Sequence, residues 1–358
     1  MELLGSGIFN ADGDNWTLQR KTAVHEFSVK KLREHATAVF QEQVGALVRQ
    51  VDHAAMQGTV LDLQDVLMSF TLESICHVGF GVRLVALTSP DGYTEASDFA
   101  KAFNLANQVV AERFLTPVVW KPQDLLSRFM TMRDGNGALL SDAYLRDVVI
   151  NFINAGRDTS AGAITWMIYE LTRNCHVEER ILEEVMVVLE LGQGEGERLA
   201  EQLSFGKVRK LNYLQAALSE TLRLHPSVPQ DRKTAVDSDV LPDGTQISRG
   251  SLVVWTAYTM GRQESIWGPD ALEFRPERWL APNGDYKAES SYKFTAFQGG
   301  PRMCIGKDLA FLEMKAAAAA LIYNYRFEVV PGHHVKYEIA LTMPIKHGLL
   351  VNVSRRWS

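Results

Sequence analysis

The stretch Phe297-Gln298-Gly299-Gly300-Pro301-Arg302-Met303-Cys304-Ile305-Gly306 leaves this chain few options. Cys304 sits between Gly300 and Gly306, and a run of helix formers over 309–321 follows at once. Glycines permit tight turns and let a backbone come close to a flat ligand. A sulfur just ahead of a helix N-terminus is stabilised as a thiolate by backbone N–H groups and by the positive helix end. Arg302, two residues earlier, can pair with a carboxylate at the rim of such a ligand. An isolated cysteine is more often a buried structural residue.

The rest of the chain supplies a helical body for that loop. Over 28–51 the residues Val29, Leu32, Ala36, Val39, Phe40, Val44, Leu47 and Val51 recur at helical spacing, with Ser28 placed as a cap. A second helix is predicted over 61–78. A third, capped by Ser141 or Asp142, runs through Val148, Ile150, Phe152 and Ile153 to Leu171; it is apolar nearly all round and should be central. Further helices are expected over 177–191 and 214–224, separated by a solvated loop over 192–196 that has neither GxGxxG nor Walker spacing. Strand character comes late, at 252–256, 327–330 and 349–353, with a Leu241-Pro242-Asp243-Gly244 turn. The fold class is mainly α with small β-sheets. With 358 residues, no repeat and no Pro/Ser-rich linker, the chain reads as one domain, 1–358.

Composition narrows the chemistry. A net charge of -6 without a Lys/Arg run argues against a nucleic-acid partner. Cys76, Cys175 and Cys304 are too few and too widely spaced for a disulfide framework or a CxxC metal site. His333 and His334 are adjacent in a turn, poor geometry for two ligands of one metal. No stretch has the roughly 18 apolar residues of a membrane span, and 1–10 lacks a signal-peptide layout.

Three further constellations stand out. Glu220-Thr221-Leu222-Arg223 puts an acid and a base one turn apart in an apolar helix, and Pro276-Glu277-Arg278-Trp279 lies downstream. Alone, the first is a weak signal, since i,i+3 pairs are usually solvated. Ala155-Gly156-Arg157-Asp158-Thr159-Ser160 places small, acidic and hydroxyl residues inside the central helix, which is costly unless the site needs space and protons. A helix kink with a surface acid is the plainer reading. Trp16 and Arg20 stand at i,i+4 in Gly13-Asp14-Asn15-Trp16-Thr17-Leu18-Gln19-Arg20, both able to donate to a carboxylate; such pairs are more often surface packing, and His25 beyond them can be packing only.

Taken together these motifs resemble the cytochrome P450 family: FxxGxRxCxG with Phe297, Gly300, Arg302, Cys304 and Gly306; ExxR with the arginine of PERW; the oxygen groove AGxDT; and WxxxR. The resemblance implies a P450 fold and a haem-thiolate monooxygenase. Cys304 would be the axial ligand of haem b iron, and Trp16, Arg20 and Arg302 would contact propionates, with Arg232 or Lys233 open as a further contact. Glu220, Arg223 and Arg278 would form a structural ion triad holding the cysteine loop. Ala155 and Gly156 would leave room for O2, while Thr159 and Asp158 relay protons to it; Arg157 is assigned no role. Electrons would come from NADPH through a cytochrome P450 reductase, since no flavin or nicotinamide motif occurs in the chain.

The likeness spans nearly the whole sequence. Residues 7–27, 124–129 and 294–306 resemble the plant fatty-acid ω-hydroxylase branch, which implies a lipophilic substrate, a long-chain fatty acid, and location at the endoplasmic reticulum membrane. Two departures are expected to matter. The family's membrane anchor and first small sheet precede the region where this chain starts, so the fold is expected to be incomplete at its N-terminus. Near Trp120-Lys121-Pro122 the chain passes straight to Asp124-Leu125-Leu126, which reads as an internal deletion of helices that roof the substrate channel. A non-catalytic P450 fragment is the second reading, and motifs do not separate it from the first. A haem-thiolate isomerase or dehydratase is the third, and the Asp158-Thr159 pair counts against it.

Overall fold

A computed structural model of the chain describes residues 4–28, 30–83, 129–132, 137–338 and 340–357. The readings placed on residues 120–128 lie outside the described residues. Seven long helices are present among them: α1 (Gly13–Ser28), α2 (Lys30–Gln57), α3 (Leu63–Phe80), α4 (Asp142–Arg173), α5 (Cys175–Leu189), α6 (Asn212–Leu224) and α7 (Lys307–Asn324). The strands are β1 (Leu61–Asp62), β2 (Asp231–Thr234), β3 (Asp239–Val240), β4 (Gln246–Ile247), β5 (Leu252–Trp255), β6 (Tyr325–Val329) and β7 (Leu350–Arg355).

Local chemistry sets most boundaries. Ser141 caps α4 by accepting from the Tyr144 N–H at 3.3 Å. Asp62 caps α3, accepting from the N–H groups of Gln64 at 3.0 Å and Asp65 at 3.4 Å, and Gly81 closes it in the left-handed conformation (φ 65°). The helix expected from residue 61 therefore starts two residues later, because residues 61 and 62 form β1. That strand pairs antiparallel with β7, Leu61 opposite Val351, in a sheet of order β1-β7-β6. Strand character is thus present early in the chain as well as late; a two-residue strand carries no local signal. Over the described residues α1 ends at Ser28 and α2 begins at Lys30, and the side chain of Ser28, expected as a cap, is not among those described. The loop after α5 is tied down rather than merely solvated: the Tyr323 hydroxyl accepts from the Glu195 N–H at 2.9 Å and donates to the Gly192 carbonyl, and Gly196 already opens a short helix, Gly196–Gln202.

The 32-residue α4 divides two hydrophobic clusters. Its C-terminal half, with Ala161, Ile164, Met167 and Leu171, packs among α2, α5, α6 and α7. Its N-terminal half, with Leu145, Val148, Val149 and Phe152, packs against Leu72, Ile75, Cys76 and Phe80 of α3. Burying side chains of this size contributes roughly 1.5–3 kcal/mol each before entropy is counted. Between the halves, residues 153–159 are only half-buried, although 151, 152 and 160 are buried. An apolar core helix that opens for seven residues lines a groove there.

Candidate active site

The cysteine loop is fixed by its backbone. The Cys304 N–H donates to the Phe297 carbonyl at 2.8 Å, and short 3-10 turns, Thr295–Phe297 and Gly300–Arg302, fold the segment on either side. Gly300 has φ 65°, with nothing within 4 Å of where a Cβ would stand, so its role is conformational rather than steric. Gln298 takes φ 63° without being glycine, its amide donating to Asp231 Oδ2. Gly306 departs from expectation: at φ -86° it needs no glycine conformation, and an added Cβ would meet only Cys304 Sγ at 3.9 Å.

Cys304 is solvent-accessible, yet burial by dense surroundings still pushes its thiol up. The two facts agree for a sulfur on the wall of an interior groove. Opposing that burial are the Gly306 and Lys307 N–H groups at the start of α7 and the charges of Arg20 and Lys307. Ile305, next in sequence, packs into the cluster that holds Ile75, Phe152 and Ile153, so the loop meets α4 where that helix opens.

Trp16, Arg20 and Arg302 are brought together. The Arg302 guanidinium lies 4.7 Å from the Trp16 ring centroid and that of Arg20 6.0 Å away. Arg20 donates to the Met303 carbonyl at 2.6 Å, and Arg302 to Ala11 O at 3.0 Å and Asp12 Oδ1 at 2.5 Å. The Asp12 contact is absent from the sequence reading. Arg232 and Lys233 lie on β2 opposite Val254 and Val253. Alternation puts Lys233 on the same face as Asp231, which holds Gln298 of the loop, and Arg232 on the other. The side chain of His25 is not among those described.

In α4, Gly156 is required for space: a Cβ there would fall 2.7 Å from Cγ1 of Ile75. Thr159 Oγ1 donates to Ala155 O at 2.6 Å, Thr71 of α3 donates to Arg157 O at 2.9 Å, and Ser227 donates to Thr159 O at 2.8 Å. Burial raises the Asp158 carboxyl, and Arg157, 3.2 Å away, pulls it partway back. Arg157 therefore has a partner where the sequence suggested no role.

Glu220, Arg223 and Arg278 converge. Glu220 is fully buried and accepts from Arg223 Nε and Nη2, both at 2.8 Å, and from Arg278 Nε at 2.9 Å. The Trp279 indole and the Arg275 N–H complete it at 2.9 Å each, partners that the sequence does not signal. Trp279 then meets Phe294 edge-on at 4.7 Å, Phe294 meets Phe297 at 6.3 Å, and Phe297 meets Phe311 at 5.1 Å. This aromatic row connects the triad to the residue whose carbonyl holds Cys304. His333 is bonded to the Gly348 carbonyl at 3.1 Å, and no group of His, Cys, Asp and Glu among the described residues could hold a metal ion.

The cytochrome P450 family model matches residues 2–122 and 90–351. Cytochrome P450 86B1 of Arabidopsis thaliana is 42% identical, covering 99% of this chain and 72% of the relative. The chain belongs to the cytochrome P450 family. Cytochrome P450 94A1 of Vicia sativa is 33% identical over 99% of this chain and 76% of its own. A solved cytochrome P450, CYP102L1, superposes with a TM-score of 0.83 at 22% identity, covering 99% of this chain and 82% of that one, which establishes the fold. The chain is thus a P450 monooxygenase with the P450 fold, and the family implies a haem-thiolate iron cofactor, a redox partner and small-molecule substrates. The residues present fit that group: an accessible sulfur, two guanidinium groups beside an indole, and a helix that opens next to them. The alignment to 86B1 runs over 404 positions, more than the 358 residues of this chain, so the relative carries residues that this P450 lacks within the matched span.

Proposed function

We propose that this P450 hydroxylates the terminal carbon of long-chain fatty acids at the endoplasmic reticulum membrane, with electrons from an NADPH-dependent P450 reductase. The observation that carries the monooxygenase chemistry is the meeting of the Cys304 loop with the opened stretch of α4. The substrate class rests on the likeness of residues 7–27 and 294–306 to the ω-hydroxylase branch.

Cys304 would hold the haem iron through its sulfur, and Trp16, Arg20 and Arg302 would hold the propionates. When bound, haem supplies the activation of dioxygen, with thiolate donation favouring cleavage of the O–O bond. The chain's own residues shape and hydrate the groove. Gly156 keeps α4 close to Ile75, and Ala155 keeps the neighbouring surface low. Thr159, whose hydroxyl donates to Ala155 O at 2.6 Å, keeps its oxygen free to accept a hydrogen bond from a donor in the groove. Asp158, its carboxyl raised by burial and pulled partway back by Arg157 at 3.2 Å, would be the source of protons to the groove. Tests are turnover of laurate and oleate with a reductase and analysis of product position. Terminal alcohols are expected; oxidation of other lipophilic compounds with none of these acids would overturn the substrate class and leave the monooxygenase standing.

A further inference from the structure

The segment ahead of α1 is a strap between the two walls of the groove. Asp147 and Asn151 stand one turn apart on α4, Asn151 fully buried and Asp147 nearly so. Asp147 Oδ2 accepts from the Ser6 N–H at 2.9 Å and the Ser6 hydroxyl at 3.0 Å. Asn151 Oδ1 accepts from the Phe9 N–H at 3.3 Å, and its Nδ2 donates to Leu4 O at 2.8 Å and to Asp147 O at 2.7 Å. The strap lies flat on these side chains. A Cβ on Gly7 would come 2.0 Å from Asn151 Nδ2, and one on Gly5, at φ 47°, would come 2.1 Å from Asp147 Oδ2. From α1, Gln19 donates to Ser6 O at 2.9 Å, while the far end of the strap, Ala11 O and Asp12, receives Arg302 of the cysteine loop.

A non-helical backbone laid on a helix must find partners for its N–H and C=O groups. Asn151 provides an acceptor and a donor at once, as a neighbouring strand would, and Asp147 provides the charged acceptor. We infer that Asp147 and Asn151 are positioning residues for the cofactor: by docking the strap on α4 they set where α1 stands, and so hold Trp16 and Arg20 over the cysteine loop. This rests on the reading of the groove as the haem site given above. Among the described residues no hydrogen bond of either side chain reaches the cysteine loop, so they act through the strap.

The test uses the haem-loaded full chain and follows haem transfer from the ferric protein to apomyoglobin. Thermal midpoint, helix content and the reduced carbon monoxide spectrum are recorded alongside. Asn151→Ala and Gly7→Ala are expected to lose haem on the order of tenfold faster, about what losing one or two buried hydrogen bonds does to an equilibrium, while the thiolate-type spectrum and helix content are retained. Asp147→Asn, which keeps shape but weakens the acceptor, serves if Asn151→Ala does not fold, and is expected to raise the rate less. In Asn151→Ala/Arg20→Ala the rise should fall short of the two single effects combined, because the first acts in part through the second. Wild-type haem loss in the strap variants, or effects that add in the double variant, would overturn the inference while leaving the haem site standing. A wild-type chain without a thiolate-type spectrum would instead overturn the haem-site reading and the inference with it.

Discussion

Thr159 sits on the half-buried stretch 153–159 of α4, next to buried Ser160, and its hydroxyl donates to Ala155 O, four residues back. Threonines in helices often make that bond for packing reasons alone. Under the function proposed above, Asp158, whose carboxyl burial raises, would supply protons beside that hydroxyl. Thr159→Ala should therefore retain haem and substrate binding but release hydrogen peroxide in place of product. Measuring product per NADPH consumed checks this, and undiminished coupling would remove the relay role. Residue types were the most legible layer of the sequence. Cys304, Arg302, Trp16, Arg20 and the triad come together because their chemistry is written within ten residues of each. Their partners were not legible: Asp12, Trp279, Asp147 and Asn151 look like ordinary polar or aromatic residues until the fold brings distant segments to them. Gly5 and Gly7, whose missing Cβ atoms let the strap lie on Asp147 and Asn151, carried no reading in the sequence.

Among elements, α6 and α7 carry buried charge with opposite consequences. In α6 the Glu220 carboxylate receives five hydrogen bonds from Arg223, Arg278, Arg275 and Trp279. Removing it strands two guanidinium groups, which typically costs about 3–5 kcal/mol. Through the aromatic row Trp279, Phe294 and Phe297, the loss reaches the cysteine loop. Glu220→Ala is expected to yield little haem-loaded protein at a much lowered thermal midpoint; a soluble, fully loaded variant would contradict this. In α7, Glu313 is buried without a cation, and its carboxyl is pushed up from 4.5 to about 8, chiefly by burial, with the Ser160 hydroxyl opposing. The folded state thus keeps a proton that the unfolded state gives up near pH 4.5, so this group's contribution to stability falls as pH rises from there to about 8 and then levels. Glu313→Gln, which cannot ionise, should be the more stable at pH 7.5, with the gap closing toward pH 5. Urea unfolding at the two pH values measures it, and an equal or less stable variant at pH 7.5 would show that Glu313 has a charged partner in solution. Helix periodicity was readable where a helix buries one continuous surface, as α2 and α6 do, whereas α1 carried no such reading. The boundaries that escaped were set by non-local pairing, as where β1 meets β7 across nearly the whole chain.

For the molecule as a whole, the central α4, the cysteine loop and the strap form one groove whose parts come from both ends and the middle of the sequence. That assembly, more than any single motif, is what this chain's folding supplies, and a solved P450 at 22% identity has the same fold at a TM-score of 0.83. No helix among the described residues is long and apolar enough to cross a membrane. The alignment to 86B1 is longer than this chain, and the sulfur, its loop and the surrounding cations are all within the described residues. The central claim is that this groove binds haem through Cys304. The most direct measurement is the reduced carbon monoxide difference spectrum of the chain beside that of Cys304→Ser at equal protein concentration. The account predicts the long-wavelength Soret band of a thiolate-ligated haem in the first and its loss in the second. The same band in both proteins, or no thiolate band in the unaltered chain, would contradict it.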